Sequence, residues 1–157
     1  MTDKTMPITG GCMCGAVRYE VSEPPSGGGT CHCRTCQRAT GSAFWAGAAF
    51  PRSALRFTKG EPKRYQSSSI AERSFCPDCG SPVVSRYLVP VSTLMHPDIV
   101  WVHIGTLDEP EAAPIDDHYG VESQLSWVHF DDGLPCVRCD EDPELAAALA
   151  AAEAGEE

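Results

Sequence analysis

The chain has 157 residues, of which 42% are hydrophobic, and this length suits one domain with a core of its own rather than two. The net charge of −10 is unevenly placed, because residues 108–157 carry 15 Asp and Glu against a single Arg. Such an acidic final third argues against a nucleic-acid partner, whose phosphates need clustered Lys and Arg. The N-terminus lacks an apolar signal region and no apolar run could span a bilayer, so we expect a cytoplasmic protein without a membrane partner. Thiols stay reduced in the cytoplasm, where nine cysteines favour metal binding or catalysis over disulfides.

Short β-strands dominate the predicted secondary structure. In residues 15–21, Val17, Tyr19 and Val21 alternate with Arg18 and Glu20, a pattern typical of a half-buried strand. The 14 Gly and 13 Pro of the chain indicate many turns. Further strands are predicted at residues 44–50, 54–58, 71–75, 82–89, 98–108 and 124–130, and a loop at 22–29.

A helix is predicted at the C-terminal end. Asp142 can serve as its N-cap and Pro143 as its first residue, and alanines follow. Its apolar face is thin, so we expect it to dock on the surface or to fray. The predicted organisation is therefore one β domain over residues 1–140, followed by an acidic, alanine-rich helix or tail at 141–157.

The cysteines fall into clusters with metal-ligand spacing. "FCPDCGSP" brings Cys76 and Cys79 onto one tight turn, and "GGCMCG" offers Cys12 and Cys14 between glycines. A closed structural zinc site needs four ligands, and these two pairs together supply them. Such a site would tie the N-terminal strand to the middle of the chain.

A second cluster, Cys31, Cys33 and Cys36, offers only three thiols. Three protein ligands and one open position are typical of catalytic zinc. His32 could compete as a ligand, but neighbouring residues of an extended chain point in opposite directions, which favours the three cysteines. We therefore predict two Zn²⁺ per chain and a zinc-binding β domain. Cys136 and Cys139 have no obvious partner pair, and whether they bind a metal, form a redox pair or do neither stays open.

Several linked motifs resemble the glutathione-dependent formaldehyde-activating enzyme family, which also contains centromere protein V. In chain order they are "GGCMCGAVRYEV", "CHCRTCQRATGSAF", "SFCPDCGSPV", "IGTLD" and "HYGVESQLSWVHFDDGLP". The resemblance covers about residues 10–135. It implies a zinc-stapled β-tent of antiparallel sheets, which agrees with the strand-rich pattern. With short helical turns and the C-terminal helix predicted above, the expected fold is therefore mainly β. Family members typically lack cysteines at the positions of Cys136 and Cys139.

The resemblance also implies a set of zinc ligands and an activity. A structural zinc is assigned to Cys12, Cys14, Cys76 and Cys79, and a catalytic zinc to Cys31, Cys33 and Cys36. The activity is that of a carbon–sulfur lyase that forms S-hydroxymethylglutathione from formaldehyde and glutathione. A glutathione or thiol carrier without turnover, or a zinc-stapled interaction module, are the alternatives.

Three residues are candidates for binding the substrate. Arg34 and Arg38 would share one face of a helix around Cys36 and could hold a carboxylate of glutathione. His118 could act as an acid or a base, since the pKa of histidine is near neutrality.

Overall fold

The structure, a computed structural model, describes residues 6–155 and is built mainly from β-strands. The strands are β1 (Ile8–Gly11), β2 (Arg18–Val21), β3 (Gly27–Cys31), β4 (Trp45–Pro51), β5 (Leu55–Lys59), β6 (Lys63–Gln66), β7 (Ala71–Phe75), β8 (Pro82–Tyr87), β9 (Ile99–His103), β10 (Asp117–Tyr119) and β11 (Cys136–Val137). The helices in the described residues are α1 (Arg34–Thr40) and α2 (Pro143–Ala154), and short 3-10 turns connect several elements. The predicted mainly β fold with short helical turns and a C-terminal helix is confirmed.

The strands form two sheets. A three-stranded sheet has the order β1-β2-β5, and an eight-stranded sheet has the order β11-β10-β3-β4-β9-β8-β7-β6. All pairings are antiparallel except at one edge of the larger sheet, where β10 runs parallel to both β3 and β11. Within residues 6–155, neither helix has the length and apolar character needed to cross a bilayer.

One hydrophobic core joins side chains of both sheets. Tyr19 and Val21 of the smaller sheet pack in the same cluster as Phe50, Val83 and Val102 of the larger one, and all five are at most 1% exposed. Each such side chain contributes about 1.5–3 kcal/mol by leaving water. The core continues into the cysteines that follow β1 and β7, so a metal at those cysteines would lie against well-packed structure.

The prediction of a loop at residues 22–29 is wrong in its second half, because residues 27–31 form the fully buried strand β3. A Cβ on Gly28 would lie 2.0 Å from the carbonyl oxygen of Pro114, and one on Gly29 would lie 2.6 Å from the Asp117 side chain. The glycines are therefore needed for close approach of neighbouring backbone and side chains. Local propensity alone favours a loop for such a run.

The predicted strand at residues 124–130 is also wrong. The side-chain amide of Gln124 donates to the carbonyl oxygen of Val128 at 2.7 Å, and the Val128 N–H donates to the Leu125 carbonyl at 3.0 Å. These local bonds fold the segment into a turn, and Trp127 is left 70% exposed. The segment satisfies its polar groups locally instead of joining a sheet.

Other boundaries differ by a few residues. The predicted strand at 98–108 ends at His103 and continues as a 3-10 turn through Thr106, and β8 ends at Tyr87 rather than at residue 89. The C-terminal helix begins as predicted, because the Asp142 carboxylate accepts hydrogen bonds from the N–H groups of Glu144 and Leu145. Whether 1–140 and 141–157 behave as separate units stays a prediction.

Candidate functional site

The first cysteine cluster joins the loop after β1 to the turn after β7. Its four sulfur atoms lie within 4.8 Å of one another and belong to Cys12, Cys14, Cys76 and Cys79. The Cys12 and Cys14 sulfurs are 3.6 Å apart, and those of Cys14 and Cys76 are 3.8 Å apart although 62 residues separate them in the chain. Four sulfurs at about 2.3 Å from a tetrahedral zinc are about 3.8 Å from one another, so the arrangement fits that ion.

Hydrogen bonds hold this cluster in place. The Val17 N–H donates to the Cys12 sulfur at 3.2 Å, and the Met13 N–H donates to the Ser81 hydroxyl at 3.1 Å. A hydrogen bond with Ser81 lowers the pKa of Cys79 to about 5. Cys12 and Cys76 are buried while Cys14 is exposed, so one side of the cluster faces the core and the other faces solvent.

The second cluster lies where β3 ends and α1 begins. The sulfurs of Cys31, Cys33 and Cys36 lie within 4.8 Å of one another, and within residues 6–155 no fourth metal-binding side chain joins them. Cys33 is the N-cap of α1, where its sulfur accepts a hydrogen bond from the Cys36 N–H at 3.4 Å. His32 points away from the sulfurs and packs against Phe44, as expected for alternate residues of an extended chain.

The three thiols compete for negative charge. The hydrogen bonds of Cys31 and Cys36 to the Cys33 sulfur lower the pKa of Cys33, and the same contact with Cys33 raises the pKa of Cys31. A hydrogen bond with Cys31 favours ionisation of Cys36, but Cys33 and burial outweigh it and raise the pKa of Cys36 to about 11. Protein groups alone therefore stabilise one thiolate well, whereas a cation among the sulfurs would allow all three thiols to ionise.

Arg73 of β7 lies beside this cluster and was missed by the sequence analysis. Its Nη2 donates to the Cys36 sulfur at 3.6 Å, and its buried Nε has no hydrogen-bond partner among residues 6–155. The neighbouring Glu72 does not neutralise it, because that carboxylate pairs with Arg86 at 3.0 Å. No sequence motif marks Arg73, since 37 residues separate it from Cys36.

A cavity of about 280 Å³ adjoins Arg73. Its wall includes Ala39, Tyr65, Arg73, Phe75, Pro82 and His103. Ala39 lies three residues after Cys36 on α1, so the helix face that carries the cysteine also borders the cavity. The cavity and the second cluster are therefore neighbours.

His103 contributes a neutral ring to this cavity. Burial, and secondarily the charge of Arg73, lower the pKa of His103 to about 4. Its Nε2 accepts a hydrogen bond from the Trp45 indole N–H at 3.1 Å, so Nδ1 carries the proton of the neutral ring. His103 falls within the strand predicted at residues 98–108, and no motif in the sequence indicates that it lies near the cysteine cluster.

His118 lies in a buried polar network behind β3. Its Nε2 donates to Asp132 at 2.8 Å, and its Nδ1 contacts the Thr30 hydroxyl at 2.7 Å. The same hydroxyl lies 3.2 Å from Nε2 of His32, and Phe130 stacks on the His118 ring at 4.0 Å. The hydrogen bond from His118 also lowers the pKa of Asp132. His118 is 1% exposed, and both of its ring nitrogens make hydrogen bonds. It therefore holds Thr30 in place beside Cys31. Direct contact between His118 and the substrate stays a prediction.

Arg34 and Arg38 are both exposed on α1. The guanidinium of Arg34 donates to the side chain of Gln37. Neither arginine lines the cavity beside Arg73, and their predicted role in binding the substrate stays a prediction.

Cys136 and Cys139 join neither cluster in the described part of the chain. Cys136 is exposed on β11, whereas the thiol of Cys139 donates to the carboxylate of Glu122. Burial, and then this contact with Glu122, raise the pKa of Cys139 to about 12. Cys139 is therefore protonated at neutral pH.

Known proteins resemble this chain in sequence and in fold. A protein named an uncharacterized lyase, from Schizosaccharomyces pombe (strain 972 / ATCC 24843), is 34% identical over 80 residues, which are 50% of this chain and 56% of that protein. The chain thus spans little more than half the length of this relative. A crystal structure of a Rhodobacter sphaeroides protein superposes with a TM-score of 0.52 at 23% identity, covering 82% of this chain and 99% of the other, which shows a shared fold.

The family comparison covers most of the domain. The model of the glutathione-dependent formaldehyde-activating enzymes matches residues 7–122, a range that includes both cysteine clusters and Arg73. The chain therefore belongs to the glutathione-dependent formaldehyde-activating enzyme family.

Proposed function

We propose that this protein is a zinc-dependent carbon–sulfur lyase that interconverts formaldehyde and glutathione with S-hydroxymethylglutathione, or handles a related thiol–aldehyde adduct. The observation that carries the proposal is the second cluster, in which three cysteine sulfurs converge beside a cavity without a fourth protein ligand among residues 6–155. Family membership and the lyase name of the S. pombe relative support a reaction of this general type.

Two zinc ions with different roles fit the donor atoms. In this proposal Cys12, Cys14, Cys76 and Cys79 hold a structural ion, and Cys31, Cys33 and Cys36 hold the second. An ion held by three cysteines supplies a coordination position at which a thiol loses its proton at neutral pH or a carbonyl is polarised. The 3.6 Å and 3.8 Å sulfur separations measured in the first cluster support zinc there.

Residues of this chain would balance the charge at the second site. Three thiolates around a divalent ion carry one net negative charge, and the guanidinium of Arg73 at 3.6 Å from the Cys36 sulfur offsets it. A further thiolate bound at this site would add negative charge beside Arg73. The positive guanidinium makes binding of that thiolate more favourable than an uncharged cavity wall would. His103 is neutral at pH 7 and so adds no second positive charge.

The reaction itself is a balanced addition. The sulfur of glutathione forms a bond to the carbonyl carbon of formaldehyde, the carbon–oxygen π bond breaks, and the thiol proton ends on the oxygen. The chain's contribution is to hold the thiol next to the cysteine cluster and to orient it within the cavity. The reverse reaction breaks the same carbon–sulfur bond.

NMR measurement of the exchange rate between formaldehyde and its glutathione adduct tests this proposal. The zinc-loaded protein should accelerate exchange, and Cys36→Ser should remove the acceleration together with about one ion per chain. Cys136→Ser is the matched control, because Cys136 is exposed and lies outside both clusters. Saturable glutathione binding without faster exchange would support the carrier alternative, and no glutathione binding would favour the interaction module; either result would overturn the proposed lyase activity.

A further inference from the structure

The cavity beside Arg73 has the electrostatic character of an anion site. Among the described residues that line it, Arg73 is the only Lys, Arg, Asp or Glu, so no carboxylate competes with a bound anion. The Nε of Arg73 is buried and lacks a hydrogen-bond partner within residues 6–155. A buried guanidinium N–H without an acceptor is costly, and a ligand oxygen would satisfy it.

His103, which also lines this cavity, carries a second N–H donor. His103 uses Nε2 to accept from Trp45, which leaves Nδ1 as an N–H group. Arg73 and His103 thus present N–H donors, and the ring pair of Tyr65 and Phe75, 5.9 Å apart, adds apolar wall. Small-molecule sites combine apolar surface with a few placed polar groups in this manner, and about 280 Å³ lies just below their usual range of roughly 300–1,000 Å³.

The position of Arg73 connects this cavity to the cysteine cluster. The Nη2 of the guanidinium donates to the Cys36 sulfur at 3.6 Å, while the neighbouring Nε has no acceptor within residues 6–155. A carboxylate oxygen bonded to Nε at about 2.9 Å would lie within roughly 9 Å of the Cys36 sulfur. One ligand of modest size can therefore reach both the cluster with a sulfur and Arg73 with a carboxylate.

We propose that Arg73 is the carboxylate-binding residue of the thiol site, so that the cavity selects thiols that carry a carboxylate over thiols that do not. The inference rests on the proposed function for the thiol at the second cluster. It assigns to Arg73, rather than to the exposed Arg34 and Arg38, the recognition of the acidic part of the substrate. His103 assists as a neutral donor in the same wall.

Calorimetric binding of glutathione and of its diethyl ester, which keeps the thiol but lacks both carboxylates, tests this role. The wild-type protein should bind glutathione about tenfold to a hundredfold more tightly, as expected for a charge-assisted hydrogen bond. Arg73→Gln should reduce that ratio to near one. Arg56→Gln is the matched control for net charge, because Arg56 is exposed on β5 and pairs with Glu20, and it should keep the wild-type ratio.

Zinc content is measured for every variant, because Arg73 also contacts Cys36. If Arg73→Gln loses the second ion, Arg73→Lys tests the carboxylate-binding role instead. Lysine keeps a positive charge near the cluster but lacks the planar guanidinium with its several donors. The preference of this variant for glutathione over the diethyl ester should fall several-fold. An unchanged preference in the zinc-loaded variant, or no preference in the wild type, would overturn the inference.

The exchange assay separates this inference from the proposed function. A preference for the carboxylate that depends on Arg73, without any acceleration of adduct exchange, would overturn the lyase proposal alone. Accelerated exchange with a preference that survives Arg73→Gln would overturn the role of Arg73 alone.

Discussion

Substitution of Cys76 by serine should release one zinc ion and destabilise the whole domain. Cys76 is 0% exposed within the core cluster, and its sulfur lies 3.8 Å from that of Cys14, 62 residues earlier in the chain. By the chain-entropy relation for a cross-link, closing a loop of that length stabilises the folded state by about 4 kcal/mol. At roughly 2–4 °C per kcal/mol for a domain of this size, the melting temperature should fall by about 8–16 °C.

Metal analysis and differential scanning calorimetry on dialysed protein measure both effects. Cys36→Ser should also lose one ion but melt closer to the wild type, because its cluster spans only residues 31–36 and closes no long loop. Cys136→Ser should keep both ions and the wild-type melting temperature, since Cys136 is exposed and outside the clusters.

A structural, loop-closing role for the first cluster would be refuted if Cys76→Ser kept two ions per chain. It would also be refuted if this variant lost an ion yet melted within about 3 °C of Cys136→Ser, because the long loop closure would then contribute little. A larger loss in Cys36→Ser than in Cys76→Ser would exchange the roles assigned to the two clusters.

Three further predictions concern single residues. Burial lowers the pKa of His103 from 6.5 to about 4, so its contribution to stability is complete above pH 6.5 and is lost as the pH falls toward 4. Between pH 7 and pH 5 this amounts to about 2 kcal/mol, and urea unfolding should show that part of the pH dependence in the wild type but not in His103→Gln. Tyr19→Phe should cost about 1 kcal/mol in urea unfolding, because it removes the 2.7 Å hydrogen bond to Thr106; no change would mean that the bond adds no net stability. Gly120→Ala should lower the metal affinity of the second cluster, since Gly120 has φ +70° and its Cβ would lie 2.9 Å from the Cys33 nitrogen. A cobalt titration that matches the wild type would contradict this.

The cysteine clusters were predictable because their information is local. Cys76 and Cys79 lie on one turn, Cys31, Cys33 and Cys36 lie within six residues, and the geometry of a single turn already brings such sulfurs together. The N-cap of the C-terminal helix was predictable for the same reason. Within each of these groups the interacting residues are separated by only a few peptide units. The meeting of Cys14 with Cys76, 62 residues later, was predicted instead from the four ligands that a closed zinc site needs.

The surroundings of the second cluster were not predictable, because they depend on strand order. Arg73 contacts Cys36 only when the folded chain brings β7 near α1, and His103 contacts Trp45 only when β9 pairs with β4. Neither contact leaves a spacing signal in the sequence. The glycine-rich strand β3 was not predicted for a related reason. Only its neighbours in the folded structure explain why position 28 requires a glycine.

In the proposed function the first cluster serves stability and the second serves chemistry, and their different places in the chain fit this division. The first connects the loop after β1 in the smaller sheet with the turn after β7 in the larger sheet, so its integrity is tied to the packing of both. The second is formed by one strand end and one short helix, and Thr30, His118 and Asp132 hold that strand from behind through hydrogen bonds of 2.7 and 2.8 Å. A local cluster supported in this way can change its ligand without opening the core, which the proposed binding and release of a thiol would require. Changes of substrate preference should therefore arise around Arg73 and the cavity, while changes in the first cluster should appear as changes in stability.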